Sequence, residues 1–127
     1  MKDITREWLE DADYDIKSAD AMLKAGRYFY VVFMCHLAVE KMLKAVWMEE
    51  KDEVPPKVHD LVYLMINTGL VLPGELKKFV MDLSDKSVVT RYIDGRKRIA
   101  AELDAENSGA ILKKVRELRE WLKLNKI

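Results

Sequence analysis

Three ionisable side chains interrupt an apolar run in this chain: Glu40, Lys41 and Lys44 lie within Ala38-Val39-Glu40-Lys41-Met42-Leu43-Lys44-Ala45. On a helix, residues four apart share a face, so Glu40 can pair with Lys44, and His36, one turn earlier, falls on the same edge. Such a row reads first as a polar seam between packed helices, because buried polar groups persist where they find partners. Its functional reading is the floor of a polar pocket. Lys41 points about 100° away from Glu40 and reads as solvated charge. A second pair, His59-Asp60, follows Pro55-Pro56. There Asp60 is placed to cap the free N–H groups of a helix, while a proton-transfer role for His59 would need its ring within reach of a substrate proton. Arg91-Tyr92-Ile93-Asp94 supplies a third polar group. Arg91 could lie on a helix C-terminal dipole, reach a carboxylate such as Glu40, or grip a phosphate through two N–H groups.

Other chemistries lack their residues. The five glycines are scattered, so neither a GxGxxG turn nor a phosphate loop is present. Cys35, His36 and His59 do not fall into a metal-ligand spacing, and no metal or cofactor is expected. The lone Cys35 sits in an apolar run, where a thiol reads as packed rather than reactive. Residues 1–25 hold four basic and seven acidic side chains, and residues 88–127 hold ten basic and six acidic ones. The C-terminal excess of +4 is too small for a purely electrostatic nucleic-acid binder, and Arg96-Lys97-Arg98 reads as a solvated run. The acidic start has no signal-peptide pattern, and the apolar stretch 28–39 falls well short of the roughly 20 residues of a membrane span. A cytoplasmic location, away from any membrane, is the expectation.

The elements that must hold these residues are helices. Half of the 127 residues are apolar and 35% are charged, the balance of one compact helix-rich domain spanning residues 1–127. Ile4, Trp8, Ala12, Ile16, Ala19 and Leu23 recur three and four apart, predicting a first helix that Gly26 stops. Residues 28–35 have strand-like composition but run without a breaker into 36–50, which predicts one helix of about six turns. That helix is apolar nearly all round at its start, so it should be central or partly covered by another subunit. Residues 57–67 predict a short third helix with Leu61, Leu64 and Met65 inward, ended by Gly69. Pro73 starts a fourth, with Leu76, Phe79, Val80 and Leu83 inward, ending near Tyr92. Asp94-Gly95 signals a turn and 96–103 a loop or frayed extension. Asp104 caps a last helix with the stripe Ile111, Val115, Leu118 and Leu122, Ser108-Gly109 being a weak point. The fold expected is all-α, an antiparallel bundle of about five helices, four long and one short.

Taken in order, four pieces resemble the HEPN (higher eukaryotes and prokaryotes nucleotide-binding) family, in its small stand-alone prokaryotic type. They are the step Gly26-Arg27-Tyr28, the helix core Ala38 to Ala45, the Pro-Pro-x-x-His-Asp-Leu approach from Pro55 to Leu61, and Arg91-Tyr92-x-Asp94. Proteins of this kind are helical bundles, commonly dimeric, and many are encoded beside a minimal nucleotidyltransferase as a pair resembling toxin and antitoxin. Others are metal-independent ribonucleases, in which an arginine is followed after four to six residues by a histidine, and two copies meet so that the arginines hold phosphate and the histidines assist transfer from the ribose 2′-hydroxyl. This chain has no histidine after Arg91, and Arg27 and His36 have eight residues between them. Ile93 also stands where the related step has proline. The ribonuclease inference is weakened, and the nucleotidyltransferase inference is untouched.

The resemblance therefore implies a non-catalytic or weakly catalytic homodimer that binds a nucleotidyltransferase partner and a nucleotide or RNA. Lys41, Lys44, His59, Arg91 and Tyr92 are the expected nucleotide or phosphate groups, with His36, Glu40 and Asp60 in the polar seam and no assigned catalytic residue. Tyr28, Phe29, Tyr30, Phe33 and Trp47 are expected at the dimer interface, since the second helix carries more apolar surface than five helices should cover. The alternatives are a metal-independent ribonuclease using Arg91 for phosphate and His59 for proton transfer, and a dimerisation module without a ligand.

Overall fold

The computed structural model describes residues 1–90, 97 and 101–127, with the backbone alone for 87–90. Among these residues five helices have both ends described or nearly so, Lys97, Ala101 and Glu102 are also helical, and there is no strand; the five are α1 (Asp3–Lys24), α2 (Tyr28–Lys51), α3 (Leu61–Asn67), α4 (Gly74–Thr90) and α5 (Ala105–Asn125). The bundle is antiparallel where its register can be read. Lys2, at the start of α1, donates its backbone N–H to Glu49 near the end of α2 at 2.9 Å. Between α1 and α5, Asp13 pairs with Arg119 and Asp20 with Arg116, so one helix number rises as the other falls.

The turn between α1 and α2 follows from Gly26. At φ +73° the glycine takes the left-handed conformation, which lets its own N–H reach the Leu23 carbonyl at 3.1 Å and the Arg27 N–H reach Met22 at 2.8 Å. This pair of bonds satisfies two carbonyls that the end of α1 would otherwise leave without partners. The chain then reverses directly into α2.

α2 packs against each of the other four helices, which is why it can be apolar on nearly every side. Val31, Val32, Cys35, Ala38, Val39, Met42, Leu43 and Val46 are buried along it. The subunit itself supplies most of the cover expected from a second copy. Tyr30 and Phe33 remain exposed, Tyr28 and Phe29 are half-buried, and Trp47 is only 6% exposed. Trp47 stacks on Tyr63 of α3 with ring centroids 6.5 Å apart, and the Lys51 ammonium lies 4.8 Å from its centroid. Its side chain belongs to the core of this chain rather than to its exposed surface.

One boundary and two stripes differ from expectation. α3 begins at Leu61 rather than at 57, because the Asp60 carboxylate accepts the Tyr63 N–H at 3.0 Å and so marks the first turn. The expected end of α4 near Tyr92 and the turn at Asp94-Gly95 lie outside the described residues. α1 buries Thr5, Leu9, Ala12, Asp15, Ile16 and Ala19, leaving Ile4 exposed and Trp8 at the margin. In α5, Leu112 takes the deep position and Ile111 is partly buried. Asp104 caps α5 as its sequence suggests, accepting the Asn107 N–H at 2.7 Å, and Ser108 is fully buried within a continuous helix.

Candidate functional site

The 3.6-residue period of α2 places His36, Glu40 and Lys44 on successive turns of one face. All three are buried. The Glu40 carboxylate joins the three: Oε2 accepts from Lys44 Nζ at 3.2 Å, and Oε1 lies 4.0 Å from His36 Nδ1. Oε1 also lies 2.9 Å from Nδ1 of His59, which arrives from the segment between α2 and α3. The Lys44 ammonium is 5.9 Å from the centroid of the Trp8 ring on α1, within the range of a cation–π contact. A charge taken out of water is tolerated only when paired and hydrogen-bonded, and the Lys44 ammonium meets that condition through Glu40.

His59 is the outward member of this cluster, with its side chain 54% exposed against 8% for that of Glu40. Pro55 is buried and Asp60 is held on the first turn of α3, so the backbone on both sides of the ring is anchored. His59 thus joins the seam, and Asp60, expected in it, stands outside as an exposed helix cap. Nothing local in the sequence could reveal the contact with Glu40, which is 19 residues away.

The two lysines expected to meet phosphate are occupied. Lys44 is buried against Glu40, and Lys41 is paired rather than free in solvent: its ammonium sits 2.8 Å from Asp15, which is 6% exposed between α1 and α2. Asp15 was missed by sequence reasoning, although its place beside Ile16 and between Ala12 and Ala19 on the apolar stripe was the available signal. Arg91 and Tyr92 lie outside the described residues. Cys35 is fully buried, and burial pushes its thiol up to about 12, which removes it as a nucleophile. Among the described residues no group of three or more His, Cys, Asp and Glu side chains is arranged for a metal ion.

About eleven residues earlier on α2, or roughly 16 Å along its axis, a shallow groove of about 310 Å³ is lined by Gly26, Arg27, Tyr28, Phe29, Tyr30 and Leu103. Phe29 and Tyr30 meet edge to face at 5.3 Å there. No described helix is long and apolar enough to cross a membrane. No curated protein and no solved structure matches the chain. The model of the HEPN domain matches residues 5–125, a span that takes in all but the first residues of α1, the whole of α2 to α5 and the Glu40 cluster, and the chain belongs to the HEPN family.

Proposed function

We propose that this chain is a nucleotide- or RNA-binding subunit that works as a cytoplasmic homodimer beside a nucleotidyltransferase partner, in a pair of the toxin–antitoxin kind. Family membership supports the ligand class. The observation that carries the reading at the level of residues is the Glu40–His59 contact, in which a buried carboxylate holds a half-exposed imidazole at 2.9 Å. A ring tied in this way is preorganised to meet a ligand, because little of its orientation has to be fixed on binding. Lys41 and Lys44 are engaged inside the subunit, so phosphate falls to Arg91 by the resemblance of its Arg-Tyr-x-Asp step. The exposed Tyr30 and Phe33, beside the Phe29 ring, supply apolar surface for a second copy.

The test is equilibrium binding of ATP and of a mixed-sequence single-stranded RNA at two salt concentrations, with sedimentation of the same samples. Weak, salt-sensitive binding that falls in Arg91→Ala and in His59→Ala is expected from a dimer. Absence of binding to both ligands would overturn the reading. The same contact favours a second reading, a metal-independent ribonuclease, since a carboxylate-oriented imidazole is also the arrangement of a general base. RNA turnover in EDTA that Arg91→Ala and His59→Ala abolish would install it.

A further inference from the structure

The hydrogen-bond polarity of the Glu40 cluster fixes what His59 offers to a ligand. An ionised carboxylate only accepts hydrogen bonds, and Glu40 Oε2 already accepts from the Lys44 ammonium at 3.2 Å. The 2.9 Å contact between Oε1 and His59 Nδ1 therefore needs its proton on Nδ1. A neutral imidazole carries one N–H, so the proton that Glu40 claims leaves Nε2 with a bare lone pair. The ring is 54% exposed, and no described residue bonds to Nε2.

A doubly protonated ring would instead present an N–H at Nε2 and suit a phosphate. The neutral ring offers the opposite polarity. Glu40 is the carboxylate in contact with it, and the same carboxylate meets Lys44 at 3.2 Å, with His36 Nδ1 at 4.0 Å from the oxygen that His59 uses. Asp60, next in the chain, turns its carboxylate to the Tyr63 N–H. Phosphate oxygens at neutral pH are acceptors, and an acceptor facing the Nε2 lone pair is repelled.

We propose that His59 Nε2 is a hydrogen-bond acceptor that reads a donor on the uncharged part of a nucleotide, a ribose hydroxyl or an exocyclic amine, and that Glu40 is the positioning residue that sets this polarity. The proposal rests on the nucleotide-binding reading above and reverses the expectation that His59 meets phosphate. It assigns the site a division of labour, in which His59 tells one nucleoside from another and the phosphate is held elsewhere.

Two measurements test it. Nitrogen-15 correlation spectra of the histidine rings at about pH 8, above the ordinary histidine range, should show His59 protonated at Nδ1 and bare at Nε2; a proton on Nε2 would overturn the proposal whatever binds. Competition binding with adenosine and with inorganic tripolyphosphate then separates the two halves of a nucleotide. His59→Ala should weaken adenosine about tenfold, the worth of one hydrogen bond, and leave tripolyphosphate unchanged. 2′-Deoxyadenosine, 3′-deoxyadenosine and inosine locate the donor: loss of affinity for either deoxynucleoside marks a ribose hydroxyl and for inosine the amine, while affinity equal to that of adenosine for all three overturns the proposal. A substitution that weakens tripolyphosphate and spares adenosine makes His59 a phosphate group and refutes the idea. If the wild type binds tripolyphosphate but not adenosine, the proposal falls and the binding reading keeps its phosphate half. If it binds neither, nor ATP nor RNA, both fall.

Discussion

Removing the Glu40 carboxylate should be among the most damaging single changes to this fold. Glu40→Ala leaves Lys44, 7% exposed, with a buried ammonium whose remaining contact among the described residues is the Trp8 ring at 5.9 Å. Breaking a buried pair from one side costs about 3 to 5 kcal/mol. The lower end applies here because the long lysine stem can carry its charge toward the solvent edge. With an unfolding entropy of about 2.1 cal/mol/K per residue, a chain of 127 residues loses roughly 11 °C of Tm for about 3 kcal/mol. The assay is thermal unfolding of the wild type, Glu40→Ala, Lys44→Met and the double variant. Because the cost comes from the orphaned ammonium, the double variant should recover most of the loss, with a coupling of about 1 to 3 kcal/mol across the cycle. A Tm change in Glu40→Ala below about 2 °C, or a double variant no more stable than Glu40→Ala, would refute the reasoning.

Lys41 reads from sequence as solvated charge, yet Lys41→Ala should lower stability by about 1 to 3 kcal/mol, because it leaves the buried Asp15 without its ammonium; denaturant unfolding at about pH 7 checks it. Glu49 offers a pH test. The Lys2 backbone N–H holds its carboxyl below the ordinary 4.5, and a carboxyl depressed in the folded state adds stability above the unfolded value that is lost as pH falls through the folded one. Glu49→Gln should therefore lower Tm at about pH 7, and the gap should close as the pH is taken below 4.5. Cys35, fully buried with its thiol pushed up to about 12, should resist a thiol reagent at about pH 8 in the native protein and react at once in denaturant.

Much of the secondary structure was legible because its causes lie within one or two turns. Gly26 closes α1 through its own φ of +73°, Asp60 and Asp104 each bond an N–H three residues on, and the Glu40–Lys44 pair is a same-face neighbour on any helix. The strand-like residues 28–35 were correctly read as helix, since no breaker separates them from the pattern that follows. The phase of the α1 stripe was less legible: Leu9 and Ile4 are both apolar, and only the line along which α2 lies against α1 decides that Leu9 is buried and Ile4 is not.

The candidate site divides in the same way. The sequence by itself determined that His36, Glu40 and Lys44 share one edge of a helix and that Asp60 caps the next, because side-chain direction on a helix is set by local geometry. Only the tertiary structure decided that His59 comes back to Glu40, that Lys41 turns to Asp15 rather than to solvent, and that Trp47 closes on Tyr63 inside the subunit. Those contacts join different elements of the fold, and spacing along one helix holds no information about which side chain on another will face it. The buried carboxylates Glu40 and Asp15 find their partners where α1, α2 and the approach to α3 converge, and the cost of burying a charge alone is the reason they are met there.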